Sequence, residues 1–331
     1  MKKKLMSLAK VFISGVLAFA ILTSFCMLYY NIPVHASTSD GVTDYSWEKN
    51  KFYSRATEGF AMGKTNNEGY VNAYDYQEGM NIDVLIMGSS HMEGYNVAIK
   101  DGTAAQLDAL LEDDVVYNIG TAKHRFLNCA KNFEAALEKY KPTKYVVIET
   151  YLVSFDESEL QKAVDGTTEE LESHSGGIIG LLQKMPLLRL LYMQLSNWMD
   201  ASGQAKDTEK ADTPIENTYD DLYLTILNNL SQTAKESNVE LVILYHPTVT
   251  IDPESNTATN KDAEAARRFA TYCEESGVAF VDMSERFFEE YNENHILPYG
   301  FINTSVGQGH LNKHGHQMIA EELFKFMGGN G

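Results

Sequence analysis

Short apolar runs alternate with helical segments over most of this chain, and no other feature restricts its fold as much. Such short runs favour buried strands, whereas the segments between them, 126–139 most clearly, space their apolar residues as a helix does. The five predicted strands are 82–87, 115–119, 145–149, 239–245 and 278–283. The predicted helices are 103–112, 126–139, 218–235, 261–276 and 312–327. Strands separated by helices predict an α/β fold, a three-layer α/β/α sandwich with a mostly parallel five-stranded sheet.

The N-terminus contains an uncharged run at 11–30, which is long enough to cross a bilayer. Four lysines lie within residues 1–10, and the first acidic residue after the run is Asp40. Because positive residues stay on the cytoplasmic side, residues 1–10 are predicted to be cytoplasmic, 11–30 to be a transmembrane helix, and the rest to lie outside. A cleaved signal peptide ending at Ala36 is the alternative, although the apolar part of such peptides is usually shorter.

The exported part divides into two regions. Residues 31–78 are polar and rich in Gly, Asn and Tyr, and we expect an extracytoplasmic stalk or packing segment whose aromatic side chains contact the domain. The α/β domain is predicted to span 79–328. An apolar insertion at 176–200 interrupts it, and core packing or a lid is favoured there over contact with the membrane.

The charge and the cysteines exclude several classes of function. The net charge is −19, and a chain this acidic is a poor candidate for nucleic acid binding because phosphate contacts need Lys and Arg. The chain has three cysteines, and none of their spacings is that of a zinc site. No metal and no organic cofactor is expected.

The first candidate functional residue is Ser90, in the sequence DVLIMGSSHMEGY (83–95). It follows a predicted strand directly, and ligands of parallel α/β sheets bind at the carboxyl ends of the strands. Gly88 allows the backbone to turn sharply at this point. These features suit a nucleophilic serine, but Gly and Ser are also common in ordinary turns between a strand and a helix.

The second candidate is His310, in the sequence GQGHLNKHGHQMIAEEL (307–323). It lies in a loop just before the last predicted helix, for which Asn312 is a good N-cap. A histidine in a loop can approach a serine and act as the base that this weak nucleophile needs. We expect His314 and His316 to be surface histidines, since no carboxylate ligands lie nearby to complete a metal site.

Together these segments resemble the SGNH (GDSL-like) hydrolase family, whose domain begins with a strand followed by G-D-S and ends with D-x-x-H-x-N. The sequence GSS at 88–90 matches G-D-S with Ser in place of Asp, and HLN at 310–312 matches H-x-N. Over residues 79–328, the resemblance implies that Ser90 is the nucleophile and His310 its base. The chain also resembles the extracytoplasmic protein of teichoic-acid D-alanylation, which belongs near this group.

The sequence departs from the family pattern at three places. Gly307 stands where the family has the Asp that orients the histidine, and Lys123 stands where it has an oxyanion-hole Gly. The third block, which normally offers an Asn side chain, is replaced by IETYLVSF (148–155). Any non-proline residue can supply a backbone N–H, so the candidate oxyanion or substrate contacts are the backbone around Gly120 and Lys123, with His124.

Three further residues lie at the same predicted edge of the sheet. His246 follows the fourth strand and either contacts substrate or is an ordinary loop histidine with satisfied hydrogen bonds. Asp252 and Glu149 are the nearest carboxylates that could orient His310. A Ser–His dyad, in which a backbone carbonyl holds the second ring nitrogen, is equally compatible with the sequence.

These expectations amount to acyl-ester chemistry outside the cell through an acyl-enzyme on Ser90. Water as the acceptor would make the protein an esterase, and a sugar or polymer hydroxyl would make it an O-acyltransferase. The expected partners are an acylated carbohydrate or cell-wall polymer and, through the N-terminal helix, the membrane. The alternative is a non-catalytic glycan-binding or assembly protein on a degenerate scaffold of this family.

Overall fold

The computed structural model describes residues 2–33, 35–37, 41–167, 185–192, 219–252 and 254–329. The helices are α1 (Lys2–Tyr29), α2 (Ser90–Glu93), α3 (Thr103–Leu111), α4 (Phe126–Tyr140), α5 (Glu157–Val164), α6 (186–192), α7 (Asp220–Glu236), α8 (Ala263–Glu275), α9 (Ser284–Asn294) and α10 (Lys313–Phe326). The strands are β1 (His35–Ser37), β2 (Tyr45–Trp47), β3 (Phe52–Arg55), β4 (Ala61–Lys64), β5 (Val84–Met87), β6 (Val116–Asn118), β7 (Tyr145–Thr150), β8 (Glu240–Tyr245), β9 (Val249–Ile251), β10 (Ala258–Asn260) and β11 (Ala279–Asp282).

The central sheet has five parallel strands in the spatial order β11-β8-β7-β5-β6. The predicted parallel sheet is therefore confirmed. Numbered along the chain, the strands run 2-1-3-4-5, so the order reverses at β5. In open α/β sheets, ligands bind outside the carboxyl ends of the strands at this reversal point. The turn that follows β5 is thus the position that the topology favours for a site.

Helices cover the sheet on both faces, which confirms the three-layer arrangement. All four residues of β5 are buried, as expected for a strand with helices above and below it. One core cluster includes Phe126 of α4, Leu227 of α7 and Phe269 of α8. The opposite cluster includes Leu107 of α3 and Ile319 of α10.

An antiparallel hairpin, β3–β4, precedes the sheet and was not predicted. Its inner face packs on the domain, since the fully buried Tyr53 ring lies 4.4 Å from that of Tyr95, which also stacks on Trp47. The expectation that the aromatic residues of this region all contact the domain was wrong for Phe52 and Phe60. Both are largely exposed, at 45% and 53%.

Among the described residues, one helix is long and apolar enough to span a membrane, at Met6–Tyr29 within α1. Most of it is exposed, but Cys26 and the following Tyr30 are buried where α1 meets the domain. Next to them, Asn31 forms a β-bridge with Ser54 of β3. The prediction for the apolar insertion at 176–200 lies largely outside the described residues, apart from the part that contains α6.

Candidate active site

Ser90 begins α2, three residues after the last residue of β5. The turn between them needs glycine at position 88, because a Cβ there would lie 2.5 Å from a carboxylate oxygen of Glu149. Ser89 is the N-cap of α2, and its Oγ accepts a hydrogen bond from the backbone N–H of His91 (3.2 Å). The Ser89 hydroxyl is therefore hydrogen-bonded within the turn, whereas Ser90 is partly exposed.

His310 lies opposite Ser90, with its Nε2 2.8 Å from the Ser90 Oγ. The loop that carries it is fixed by Asn312, the N-cap of α10, whose side-chain Oδ1 accepts from the N–H groups of His314 and Gly315. The Asn312 amide also donates to the Leu297 carbonyl (2.8 Å). The structure thus places the two residues that the sequence singled out within direct hydrogen-bond distance.

The carboxylate beside His310 is Glu58, which sequence reasoning missed. Its Oε2 lies 2.8 Å from the His310 Nδ1 and accepts the His310 backbone N–H at 2.9 Å. A carboxylate at Nδ1 fixes the proton on that nitrogen, which leaves Nε2 unprotonated to accept the Ser90 hydroxyl proton. Ser90, His310 and Glu58 therefore form an uninterrupted hydrogen-bonded chain.

Glu58 remains ionised because of its contacts with His310. Burial acts to raise the pKa of Glu58, but the hydrogen bonds from the His310 ring and backbone, with the charges of His310 and Arg55, outweigh it and lower the pKa. The ionised carboxylate is the form that can accept both N–H groups. No residue type or spacing around position 58 marks it as functional in the sequence.

The loop that carries Glu58 joins β3 to β4 and is held against residues 301–303. The Asn303 side chain accepts from the N–H of Gly59 (2.6 Å) and donates to the carbonyl of Ala56 (3.0 Å). Gly59 has φ of +64°, and a Cβ there would lie 2.4 Å from the Phe301 ring. Glu58, the third residue of the hydrogen-bonded chain, thus comes from a loop that is far from His310 in the sequence.

Neither carboxylate that the sequence suggested for His310 has that role, so this expectation was wrong. Glu149 is fully buried beneath the turn, where it accepts the backbone N–H of Ser89 (2.6 Å) and lies 2.8 Å from the His246 Nε2. The Asp252 carboxylate accepts the N–H groups of Glu254 and Ser255 in an exposed turn. Glu149 therefore supports the turn rather than the base.

His246 is fully buried and both of its ring nitrogens are engaged, so the suggestion that it contacts substrate was wrong. The Tyr299 hydroxyl donates to the carbonyl of Pro247 (2.7 Å), so it can only accept from the His246 Nδ1 at 2.6 Å. The Nε2 contacts the Glu149 carboxylate, so both ring nitrogens of this buried side chain have hydrogen-bond partners.

The residues suggested for an oxyanion hole lie in different environments, and only some of their backbone N–H groups are free of other acceptors among the described residues. Gly120 donates its N–H to the Asn118 side chain (2.9 Å), and a Cβ there would lie 2.8 Å from the backbone nitrogen of Glu93. Glycine is therefore needed for packing against α2, and its N–H is not available to substrate. Lys123 has a left-handed backbone conformation, with φ of +64°. In the described part of the chain, no acceptor is assigned to its N–H.

His124 faces the interior and does not reach the site, contrary to the expectation. Its Nδ1 lies 3.5 Å from the Cys129 Sγ and its Nε2 lies 3.0 Å from the Asn132 side-chain nitrogen, and both partners are in α4. Burial lowers the pKa of His124 to about 4, so its ring is neutral. The oxyanion role suggested for it is excluded, because an uncharged ring bonded inside the core cannot contact substrate.

His316 is also buried, which corrects the expectation of a surface residue. Its Nδ1 lies 2.9 Å from the Thr103 hydroxyl of α3, and burial lowers the pKa of its ring to about 3. The sequence did contain a signal for this position. His316 precedes Ile319 and Leu323 by three and seven residues, so it lies on the apolar face of α10. His314 is exposed, as expected.

His91 is a further histidine of the site that sequence reasoning did not consider. Its ring lies 5.1 Å from that of His310, 4.9 Å from that of His246 and 5.1 Å from that of Tyr151. Burial and the neighbouring histidines keep the pKa of His91 well below its ordinary value, so the ring is neutral. The backbone N–H of Leu311 donates to its Nδ1 (3.3 Å), which places the ring proton on Nε2.

A cavity of about 580 Å³ adjoins these histidines and is large enough for a small ligand. Its walls come from the turn after β5, the segment after β7, the β9 region, the turn after β10 and the loop before His310. The lining residues are His91, Tyr151, Thr248, Val249, Thr250, Ile251, Lys261, Tyr299, Val306, Gly307, Gln308 and Gly309. In the part of the chain that the structure describes, no group of three or more His, Cys, Asp or Glu side chains could hold a metal ion.

Glu93, in the same helical turn as Ser90, predicts a pH dependence of stability. Burial raises its pKa to about 7, although hydrogen bonds from Trp47 and Ala122 and the charges of Arg55 and His310 act to lower it. The folded state then binds a proton that the unfolded state has released above about pH 4.3. The free energy of unfolding should therefore fall by on the order of 3 kcal/mol as pH rises from about 4 to 7, and it should stay constant above that range.

Glu93→Gln should remove this dependence, because glutamine does not titrate and still accepts a hydrogen bond from Trp47. The measurement is the thermal midpoint of both proteins at pH 5 and pH 8. We expect the thermal midpoint of the variant, relative to that of the wild type, to be higher at pH 8 than at pH 5. An equal fall of both midpoints between the two pH values would contradict the prediction.

Several solved structures resemble this chain at low identity. An acetyl xylan esterase aligns with a TM-score of 0.42 and 12% identity, over 74% of this chain and 99% of its own. The esterase EstA from Pseudoalteromonas sp. aligns with a TM-score of 0.39 and 14% identity, over 75% of this chain and 97% of its own. An α/β hydrolase from the metagenome of Lake Arreo aligns with a TM-score of 0.41 and 15% identity, over 76% of this chain and 99% of its own. No protein-family model matches the chain, and no curated protein matches it. Values this low carry no information about substrate, and the resemblance to the D-alanylation protein stays a prediction.

Proposed function

We propose that this protein is a serine esterase or O-acyltransferase that works through an acyl-enzyme on Ser90. The observation that carries the proposal is the chain from the Ser90 Oγ to the His310 Nε2 and from the His310 Nδ1 to the Glu58 Oε2, with both distances 2.8 Å. A nucleophile, a base in contact with it, and a third group that orients the base make up the arrangement of a serine hydrolase.

In this mechanism the Ser90 oxygen attacks the carbonyl carbon of an ester while its proton moves to the His310 Nε2. Glu58 stabilises the imidazolium that forms, because its carboxylate accepts the hydrogen bond from the His310 Nδ1–H. The imidazolium then gives the Nε2 proton to the alcohol that leaves, and the acyl group remains on Ser90. An acceptor hydroxyl, from water or from a sugar, repeats the two proton transfers and releases the acyl group.

The negative charge that develops on the carbonyl oxygen needs hydrogen-bond donors. We assign this role to the backbone N–H groups of Ser90 and Lys123, of which Lys123 stands where the SGNH pattern has its oxyanion-hole glycine. The neutral His91, whose proton is on Nε2, borders the cavity and is placed to donate to a polar group of the substrate. Because only one of these three donors is a side chain, substitutions test the oxyanion hole less directly than the triad.

The proposed substrate is an acyl ester of an envelope glycan or glycopolymer. This assignment rests on an N-terminal helix that is long and apolar enough to span a membrane, for which we propose export of the domain, and on a cavity that has room for a sugar unit or an acyl group. The same acyl-enzyme serves hydrolysis and transfer, so the acceptor decides between the two reactions. Incubation with an ester and a sugar alcohol, followed by mass analysis for the acylated alcohol, distinguishes them.

Labelling by a fluorophosphonate tests the proposed nucleophile. The full-length protein in detergent should gain the mass of one adduct, and the modified peptide should locate it on Ser90. His310→Ala should suppress the labelling, since the serine then loses its base. An adduct on Ser89 would contradict the assignment of the nucleophile, and an unlabelled wild-type protein would favour a non-catalytic binding protein.

The proposed location follows from α1. We expect the full-length protein to stay in the membrane fraction after a carbonate wash, and its domain to be digested when protease is added outside intact cells. The physical reason is the apolar run after the N-terminal lysines, which fixes a single orientation. A soluble form that begins near Ser37 would show instead that the segment is a cleaved signal peptide.

A further inference from the structure

Large apolar side chains are exposed around the candidate site, on two loops that contact each other. They belong to the β3–β4 hairpin and to the loop before His310, and we call them the apolar rim. The rim consists of Phe52 (45% exposed), Phe60 (53%), Met62 (42%), Ile302 (103%) and Val306 (80%). Clustered exposed residues of this kind mark contact with a partner or a membrane, whereas single exposed ones need no explanation.

Two rim residues, Phe52 and Met62, lie on the same face of the hairpin strands. Side chains alternate along a strand, and Ser54 pairs with Met62 while Phe52 pairs with Lys64, so these four lie on the same side. The opposite side faces the domain through Tyr53. The Ser54 hydroxyl contacts the carbonyl of Met27 in α1 at 3.4 Å. The apolar face of the hairpin is therefore the face that meets the end of α1.

The end of α1 fixes the height of this face relative to a bilayer. The 24 residues of Met6–Tyr29 are 24 × 1.5 Å, or about 36 Å, long, slightly more than the ~30 Å of a hydrocarbon core. Tyr29 thus lies close to the lipid–water boundary, and its ring is 5.8 Å from that of Phe60. Lys64, exposed on the same face, suits the head-group region, where lysine side chains reach the polar layer.

The second loop is joined to the first and leads into the site. Asn303 bonds to the backbone of Ala56 and Gly59 on either side of Glu58. Its neighbour Ile302 is fully exposed, and Val306 lines the cavity. Direct contacts therefore link the end of α1 to the hairpin, and the hairpin loop to the loop that lines the cavity.

We propose that the apolar rim lies in the outer interface of the bilayer that holds α1, and that the site draws from this bilayer esters whose hydrophobic part remains in it. The choice of a bilayer as the occupant rests on the continuity between the rim and the end of the membrane-spanning helix. The part of the proposal that concerns substrate rests on the proposed esterase function.

Fluorescence quenching tests the position of the rim. Phe60→Trp and, as the matched control, Phe326→Trp are each made in the full-length protein and reconstituted into phosphatidylcholine vesicles with brominated acyl chains. Phe326 is also partly exposed but lies beside Tyr145, at the amino end of β7 and so at the opposite edge of the sheet. The two native tryptophans contribute the same background to both variants.

We expect brominated lipid to quench the added fluorescence of Phe60→Trp about twofold or more, because an interfacial side chain enters the acyl boundary. The added fluorescence of Phe326→Trp should not change. Equal quenching of the two variants, or none for Phe60→Trp, overturns the proposal. The latter result would leave the rim free for a protein partner.

Kinetics with Ile302→Ser test the source of the substrate. Ile302 is fully exposed, so its replacement should leave the fold and the hydrolysis of a soluble short-chain ester unchanged. Hydrolysis of a long-chain ester embedded in the vesicles should fall about threefold to tenfold, as the loop loses its apolar contact with lipid. Phe326→Ser, the matched control, should change neither rate.

The outcomes separate the two proposals. Vesicle rates equal for wild type and Ile302→Ser, or a wild type that hydrolyses soluble esters alone, overturn the membrane source of substrate while the esterase function stands. A wild type that hydrolyses neither ester overturns the proposed function, and with it the substrate half of this inference. The quenching result still decides whether the rim contacts the bilayer.

Discussion

Ser90→Ala should lower the turnover of a small activated ester by about 10⁴-fold or more, since removal of the nucleophile leaves only what binding and the oxyanion donors contribute. The Ser90 Oγ is the atom within 2.8 Å of the base, and alanine removes it with little change of volume in a partly exposed position. The measurement is kcat/KM of purified full-length protein in detergent at pH 8.

Ser89→Ala is the control for this prediction, because it removes the adjacent hydroxyl. The Ser89 Oγ caps α2 and contacts Glu149 at 3.2 Å, so its loss should cost about 1 kcal/mol of stability. Its effect on kcat/KM should stay within about tenfold, since it does not face His310. If Ser89→Ala were as inactive as Ser90→Ala, or if both stayed active, the assignment of the nucleophile would be wrong.

Glu58→Gln should lower kcat by about 10⁴-fold, the effect expected when a base loses the carboxylate that fixes its tautomer. Glutamine keeps the shape of the side chain, but its amide can donate to the His310 Nδ1 and so place the ring proton on Nε2. That tautomer cannot accept the Ser90 proton. Labelling by a fluorophosphonate should slow in parallel, whereas the thermal midpoint should change little because both side chains are partly exposed.

The pH profile gives this prediction a specific signature. The lowered pKa of Glu58 keeps its carboxylate ionised below the ordinary value of about 4.3. From about pH 7.5 to pH 9, well above the range in which the Glu58 carboxylate titrates, the ratio of wild-type to Glu58→Gln activity should therefore be constant. A ratio that varies across this range would show that Glu58 is not the ionised partner.

Gly307→Asp complements this test, since residue 307 is where the SGNH pattern has its own carboxylate. The His310 Nδ1 is already bonded to Glu58, so Gly307→Asp alone should give no gain in activity. In the Glu58→Gln background it tests whether a carboxylate from the usual position can replace one from the hairpin. If Glu58→Gln keeps activity within tenfold of wild type, Ser90 and His310 act as a dyad and Glu58 has no catalytic role.

The sequence by itself determined the central sheet, the N-terminal helix and the positions of Ser90 and His310. These features depend on local patterns: an apolar run is buried wherever helices cover it, and a Gly-Ser turn or an Asn cap is set by its own few residues. Because the carboxyl ends of parallel strands share one edge, a serine after the first strand and a histidine before the last helix could be placed together without coordinates. The burial of His316 was also available from helical spacing, although surface exposure was expected.

Only the tertiary structure decided which carboxylate orients His310. Glu58 lies 252 residues away from it, in a hairpin that is outside the repeating strand–helix pattern. Its place depends on Asn303 and Phe301 closing over the hairpin loop, and no local propensity encodes such a contact. The same holds for Glu149 and His246, which were considered for the site but pair with each other beneath it. A sequence pattern gives the edge of the sheet at which a polar residue ends, whereas the packing of the whole chain decides whether its side chain faces the cavity or the core.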